Sequence, residues 1–480
     1  MSPTSERGHN AHHPAIHWLN DDVLLGIFNC YRLDDEYRWN HRFVWCRLSH
    51  VCQRWRHLIY DCAFHLGMQI KCTNGTPIVN TLDHLPPLPL FLDYGHHDAR
   101  HGHAPTVTKR DELGIYHALR LRERVFHIDL IVPPSILHEV FMLFHGYFPI
   151  LEHISLTCSA TSNDSDNLPF TLTKTFLAPN LHHLALPSIS PPRRLRVLTS
   201  TVSLVKLELS EIQTSSYFQP RLLVARLSSL PQLEELSISF SIPMLRPSTE
   251  RKLLGEQRAP VTLPSLKTLQ FKGISAYLES LVAQIRAPFL EQLDITLFNQ
   301  IVFALPHLSY LINSTEAFKL PSATVGFSVN SVYLTTIRHG VPSSEFQWGP
   351  FLLRVMCKQL DWQIDCAAQI CNALIPALSG VKLFLLNYHH WKIPSTESHN
   401  GAIDVTTWHD LLRSFIGTRS FYINHKLLKE LSRALQVDEV GSDPEFLPNL
   451  RSIRARRNLF TSFIDARQVV GRPVEYSLQY

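Results

Sequence analysis

The residues best suited to chemistry in this 480-residue chain are its 27 histidines and nine cysteines. Four histidines cluster as His96-His97, His101 and His103, a spacing that could hold a transition metal. No cysteine or carboxylate set accompanies them at fixed spacing, so they read as an exposed polar loop and no metal is expected there. Cys46, His50 and Cys52 lie close together, but on an apolar helical stripe where packing outweighs ligation. No Walker-type G-x-x-x-x-G-K-[S/T], G-x-G-x-x-G, G-x-S-x-G or H-E-x-x-H stretch occurs. The chain is therefore expected to have no catalytic residues, no metal and no cofactor, and not to be an enzyme.

Two further sets are candidates for contact. Arg451, Arg454, Arg456 and Arg457 form a basic run that reads as a solvated end. Among Trp348, Trp362, Trp391 and Trp408, Trp362 sits in an alternating apolar stretch and is expected in the core. Trp391, just past a strand-like stretch, ranks first as a contact for a target.

Composition narrows the class. Apolar content of 45% and charged content of 18% fit a folded protein, and a net charge of +4 gives no bias towards nucleic acid or anionic membrane. The cysteines are scattered and odd in number, which favours reduced thiols inside a cell. Met1–His13 is polar with no apolar h-region, and no run of about 18 apolar residues exists, so neither a secretory signal nor a spanning helix is expected.

A recurring phrase sets the shape. It reads roughly [L/A/F]-P-x-L-x-x-L-x-[L/I/F], at Phe148–Leu156, Ala178–Leu186, Leu230–Ile238, Leu263–Phe271 and Ala287–Ile295. Weaker copies start near Val125, Leu204 and Leu447, and Val381–Leu385 has strand character only. The last two apolar positions are two apart, the period of a half-buried strand, and the Pro fits before a strand because it cannot donate to the ladder. Between copies, stretches such as Ser275–Ile285 carry apolar residues at helical spacing. Strand, turn and helix then repeat as units that must stack, roughly eight to ten of them.

The N-terminal block differs. Asn20 is a natural N-cap, with Asp21 and Asp22 in the first turn and Val23, Leu24, Ile27 and Phe28 as an apolar stripe. After a polar loop, Arg32–Arg42, a second helix is expected to carry Val44, Leu48, Val51, Cys52, Trp55, Leu58 and Ile59. The paired ends, L-x-D-D-V-L-L-x-I-F and V-C-x-x-W-R, resemble the F-box, with Asn20 where that family usually has Pro. The whole chain is similar to the F-box proteins expanded in mushroom-forming fungi.

The resemblance implies an all-α F-box module followed by an α/β leucine-rich-repeat solenoid with irregular repeats. The divisions are a disordered tail over 1–14, F-box-like helices over 15–70 and a Pro/His-rich connector over 71–124. The repeats occupy 125–457, and 458–480 forms a C-terminal cap or tail. It further implies a substrate-recruiting subunit of a Skp–cullin–F-box ubiquitin ligase, in the cytoplasm or nucleus. Leu19, Asn20, Val23, Leu24, Ile27, Phe28, Leu48, Val51, Cys52 and Trp55 would meet a Skp-family adaptor, and through it a cullin. The repeats would hold an unknown target protein, with no nucleic-acid or membrane partner. The competing expectation is a leucine-rich scaffold outside any ligase, whose N-terminal helices only cap the repeats.

Overall fold

The computed structural model describes residues 18–35, 44–62, 66, 68–76, 78–82, 87–95, 107–159, 176–189, 198, 201–213, 217–241, 259–300, 302–319, 321–336, 349–357, 360–388, 405–436, 447–456 and 459–478. Three short helices come first: α1 (Asp21–Asp35), α2 (Val44–Ser49) and α3 (Gln53–Asp61). A single 16-stranded sheet follows. Its strands are β1 (Ile70–Thr73), β2 (Leu90–Tyr94), β3 (Val125–Val132), β4 (His153–Cys158), β5 (His183–Ala185), β6 (Lys206–Ile212), β7 (Glu235–Phe240) and β8 (Thr268–Gly273). Then come β9 (Gln292–Phe298), β10 (Ser322–Phe327), β11 (Ser331–Thr336), β12 (Phe351–Met356), β13 (Leu383–Tyr388), β14 (Ser420–Ile423), β15 (Ser452–Ala455) and β16 (Glu475–Leu478).

This corrects the expected fold class. The chain is an α/β fold built on one large, mostly parallel sheet, not an all-α F-box module followed by a solenoid. Two features make the difference. The sheet already begins at Ile70, and β1 and β2 pair in register as Ile70↔Leu90 through Thr73↔Asp93. The sheet also departs from chain order: β9 neighbours β12, and β12, β11 and β10 run antiparallel before β10 returns to parallel pairing with β13. Antiparallel strands can be joined by a tight connection, and residues 328–330 join β10 to β11 in this way.

Where the recurring phrase is strong, it governs register. Ile154 pairs with Leu184, Leu184 with Leu207, Leu207 with Leu236, Leu236 with Leu269 and Leu269 with Leu293. All six side chains are buried, as are Leu209, Ile238, Phe271 and Ile295 two residues further on. The residues between them face the sheet's other, open side and are partly exposed. Helices Pro134–Leu143, Pro220–Leu227 and Ser275–Val282 cover the buried side with Leu137, Val140, Leu223, Leu227, Leu278 and Leu281.

The turns before the strands are tied by side chains. Asn180 Nδ2 donates to the Pro149 carbonyl at 2.7 Å, Ser265 Oγ to Pro231 at 2.8 Å and Asn449 Nδ2 to Ile416 at 2.9 Å. Each comes from the residue after the phrase's Pro and reaches the preceding turn. Helix Pro306–Ser314 has no side-chain cap of its own. Glu279, buried on the preceding helix, accepts from His307 N at 2.7 Å and Leu308 N at 3.0 Å in its place.

Burial holds the Glu279 carboxyl above its ordinary range, with the two N–H bonds opposing. The fold therefore favours its protonated form. That contribution is full below about pH 4.3, the unfolded value, and is lost as pH rises through the folded one. Wild type should lose stability relative to Glu279→Gln across that interval, read as urea midpoints at stepped pH. Parallel pH profiles for the two proteins would contradict this.

Candidate protein-interaction site

Two surfaces leave the core with side chains able to meet another molecule. The first lies on the N-terminal helices. Asn20 Oδ1 accepts from Val23 N at 2.9 Å and caps α1, with Asp21 and Asp22 in its first turn. The helix expected across residues 44–59 is two helices. Cys52 is extended at φ −158°, and its Sγ accepts from Trp55 N at 3.5 Å, which starts α3 afresh after α2. Inside this block Leu24, Phe28, Trp55 and Ile59 are buried, and Phe28 meets Trp55 edge-on at 4.8 Å. Arg54 ties the starts of α1 and α3 together. It donates to Asp21 Oδ1 from Nε at 3.1 Å and Nη2 at 2.6 Å, and to the Leu19 carbonyl at 2.6 Å.

The residues named for adaptor contact thus divide. Leu24, Phe28 and Trp55 hold the block together, while Leu19, Leu48 and Cys52 are half-buried against the core. Val23, Ile27 and Val51 are 46%, 43% and 57% exposed, and Trp18 beside them in sequence is 83% exposed. Val23 and Ile27 are four residues apart, so they share one side of α1. Exposed aromatic and aliphatic groups on a small helical block are what a partner could cover.

The second surface is the open face of the sheet, where a row of side chains crosses the strands at one register. Phe91 on β2 pairs with His127 on β3, His127 with His153 on β4, His153 with His183 on β5 and His183 with Lys206 on β6. The rings follow the pairing. Phe91 stacks on His127 at 3.9 Å, His127 on His153 at 3.9 Å, and His183 meets His153 edge-on at 4.2 Å. Lys71 closes one end with its Nζ 5.4 Å from the Phe91 ring centre, and Lys206 the other, paired with Glu235 at 3.0 Å.

Two residues further along β3, Asp129 adds a carboxylate. One ligand atom from each of His127, Asp129 and His153 lies within 4.8 Å of the others. Burial, with His183 and Lys206 nearby, pushes the His153 imidazole down to about 4. Burial and Lys206 lower His183 as well. Both rings are therefore neutral at pH 7, and each can offer a nitrogen lone pair. Further along the face, Lys272 pairs with Glu211 at 3.0 Å, and the Arg454 guanidinium lies 5.1 Å from the Tyr422 ring centre.

Other sequence candidates fall differently. His96, His97, His101, His103, Trp348, Trp391 and Arg457 lie outside the described residues, and so does the side chain of Cys46. Trp408 is buried, but Trp362, expected in the core, is 52% exposed. It stands on helix Leu360–Ala373, where Ile364, two residues on, lies on a different side and is buried. Arg451, Arg454 and Arg456 are exposed, and the described cysteines are free thiols. Among the described residues, no helix is long and apolar enough to cross a membrane.

The histidine row was missed in the sequence, although its signal is there. In the successive copies H-I-S-L, H-L-A-L, K-L-E-L and E-L-S-I, the residue before the first strand apolar is always polar and always in the same column. No protein-family model and no curated protein matches this chain.

The division between buried and exposed positions is testable. Phe28→Ala should cost about 3–5 kcal/mol of local stability, seen as lost amide-exchange protection over α1 and α3. Ile27→Asp and Val51→Asp should each change it by no more than about 1 kcal/mol. Equal losses in all three would mean that Ile27 and Val51 also belong to the core.

Proposed function

We propose that this chain is a substrate-recruiting F-box subunit of a Skp–cullin–F-box ubiquitin ligase. Helices α1–α3 dock a Skp-family adaptor, which links the chain to a cullin. The open face of the sheet holds a target protein. The observation that carries this reading is the exposed apolar set Trp18, Val23, Ile27 and Val51, on the same two helix starts whose sequence resembles the F-box.

On this reading the chain needs no nucleophile, base or metal for the ligase reaction. It acts by effective concentration, holding target lysines near a charged ubiquitin carrier so that encounter becomes intramolecular. The open face supports the second half of the reading. Its side chains mix aromatic, cationic and anionic groups at fixed spacing: Phe91, His127 and His153 beside Lys71, Asp129 and Glu235. Such a mixture gives polar specificity with a few ring anchors. Work in the cytoplasm or nucleus follows from the same proposal.

The test is co-purification of the full chain with a Skp-family adaptor. Wild type should form a stable complex. Ile27→Asp/Val51→Asp should weaken it at least about 30-fold, the loss of a 2 kcal/mol hot spot, with an unchanged melting temperature. Failure of wild type to bind, in a preparation that is folded by circular dichroism, would leave the chain as a protein-interaction scaffold outside any ligase.

A further inference from the structure

We propose that His127, Asp129 and His153 form a binding site for a divalent transition-metal ion on the open face of the sheet. The proposal rests on the sheet's register and is independent of any role in a ligase. Parallel pairing puts His127 directly beside His153 on the next strand, about 4.8 Å away across the ladder. Asp129 follows His127 by two residues, so its side chain emerges on the same face.

Two imidazoles and a carboxylate are a donor set that zinc and its neighbours accept, at bond lengths of about 2.0–2.2 Å. Donor atoms in a tetrahedral shell of that radius stand about 3.3 Å apart. The three here lie within 4.8 Å, so coordination asks the side chains to close by at most about 1.5 Å. The stacked rings set how. Parallel imidazoles aim their lone pairs side by side, and turning one ring about its Cβ–Cγ bond makes them converge. All three side chains are half-buried, and the turn exchanges the His127–His153 stacking for metal bonds.

His183 stands next in the row, outside the three whose ligand atoms lie within 4.8 Å of one another. His183 meets His153 edge-on, and its Nε2 is enclosed without a hydrogen-bond partner. An enclosed nitrogen of this kind carries a desolvation cost that a metal ion could offset. Lys206, whose positive charge acts on both His153 and His183, has its ammonium engaged by Glu235 at 3.0 Å. Asp129 and Glu208 supply negative charge to the same neighbourhood.

The experiment titrates Zn²⁺ into the full chain carrying His96, His97, His101 and His103 all changed to Ala, so that the histidine-rich segment does not contribute. A chromophoric chelator reports affinity, and Co²⁺ in place of Zn²⁺ reports the ligand set through its visible absorption. One equivalent should bind, with His127→Ala/His153→Ala weakening it at least about 100-fold, no less than loss of an outer-sphere partner does. Asp129→Asn should weaken it about 10-fold or more and alter the Co²⁺ spectrum. Thermal melts establish that each variant is folded. If the double variant misfolds, Asp129→Asn decides alone. No uptake of Zn²⁺ at micromolar concentration, or equal affinity and spectra in wild type and a folded variant, would overturn the site.

Discussion

The rest of the molecule depends on one constraint: parallel strands must pair in a register that keeps every leucine column on the same side. Side chains alternate along a strand, so a slip of one residue would exchange the buried and open faces. The chain holds register by repeating the same apolar pair, as in Leu207 and Leu209, Leu236 and Ile238, Leu269 and Phe271, Leu293 and Ile295. Backbone bonds add a second check at each turn. Lys206 N reaches the His182 carbonyl, Glu235 N that of Val205, Thr268 N that of Glu234 and Gln292 N that of Lys267. From β6 to β9 each strand thus completes its predecessor's ladder.

Such stacking creates a cost at the turns, where backbone carbonyls approach the interior without a strand to receive them. Polar side chains meet it from the next copy along. Asn180, Ser265 and Asn449 do so with short neutral groups. The last turn uses a cation. Fully buried Arg467 donates to the Leu447, Pro448 and Leu450 carbonyls at 3.2, 3.0 and 3.4 Å, and its guanidinium lies 5.9 Å from the Phe463 ring centre. A buried charge is tolerable only with several such partners. The antiparallel pair β10–β11 meets its own constraint through Gly326, where a Cβ would stand 2.0 Å from the Tyr333 ring.

These two constraints explain what the sequence disclosed. The strands from β4 to β9 were legible because one phrase recurs with its three apolar positions, and with its Pro in every copy but that of β6. Strands β1 and β2 were not. Ile70–Thr73 and Leu90–Tyr94 are short and sit among prolines, and they become strands because β3 offers an open edge to pair with. Nor could order along the sheet be read where the phrase lapses: β10 and β11 are buried on both sides, yet no Pro-led leucine phrase marks them. Trp362 was misplaced because five residues of alternation fit strand and helix alike. On the N-terminal helices, hydrophobicity marked Val23, Leu24, Ile27 and Phe28 together. Only packing tells that Leu24 and Phe28 turn inward while Val23 and Ile27 face out.

The open face was the least legible part, and the reason is physical. Buried columns are selected by one property, apolar volume, so a single chain reveals them by repetition. Open columns carry whatever contact requires, and their meaning arises only when neighbouring strands bring them side by side. His127, His153 and His183 stand about 26 to 30 residues apart in the chain and are unremarkable among its 27 histidines. The ladder places their rings at 3.9 and 4.2 Å. Burial then lowers the protonation of His153 and His183, and Lys206 nearby disfavours further positive charge on both. The register that buries the leucines therefore also creates a row of closely spaced nitrogen donors. Moving any one of these strands by a single residue would dismantle the core and the row together.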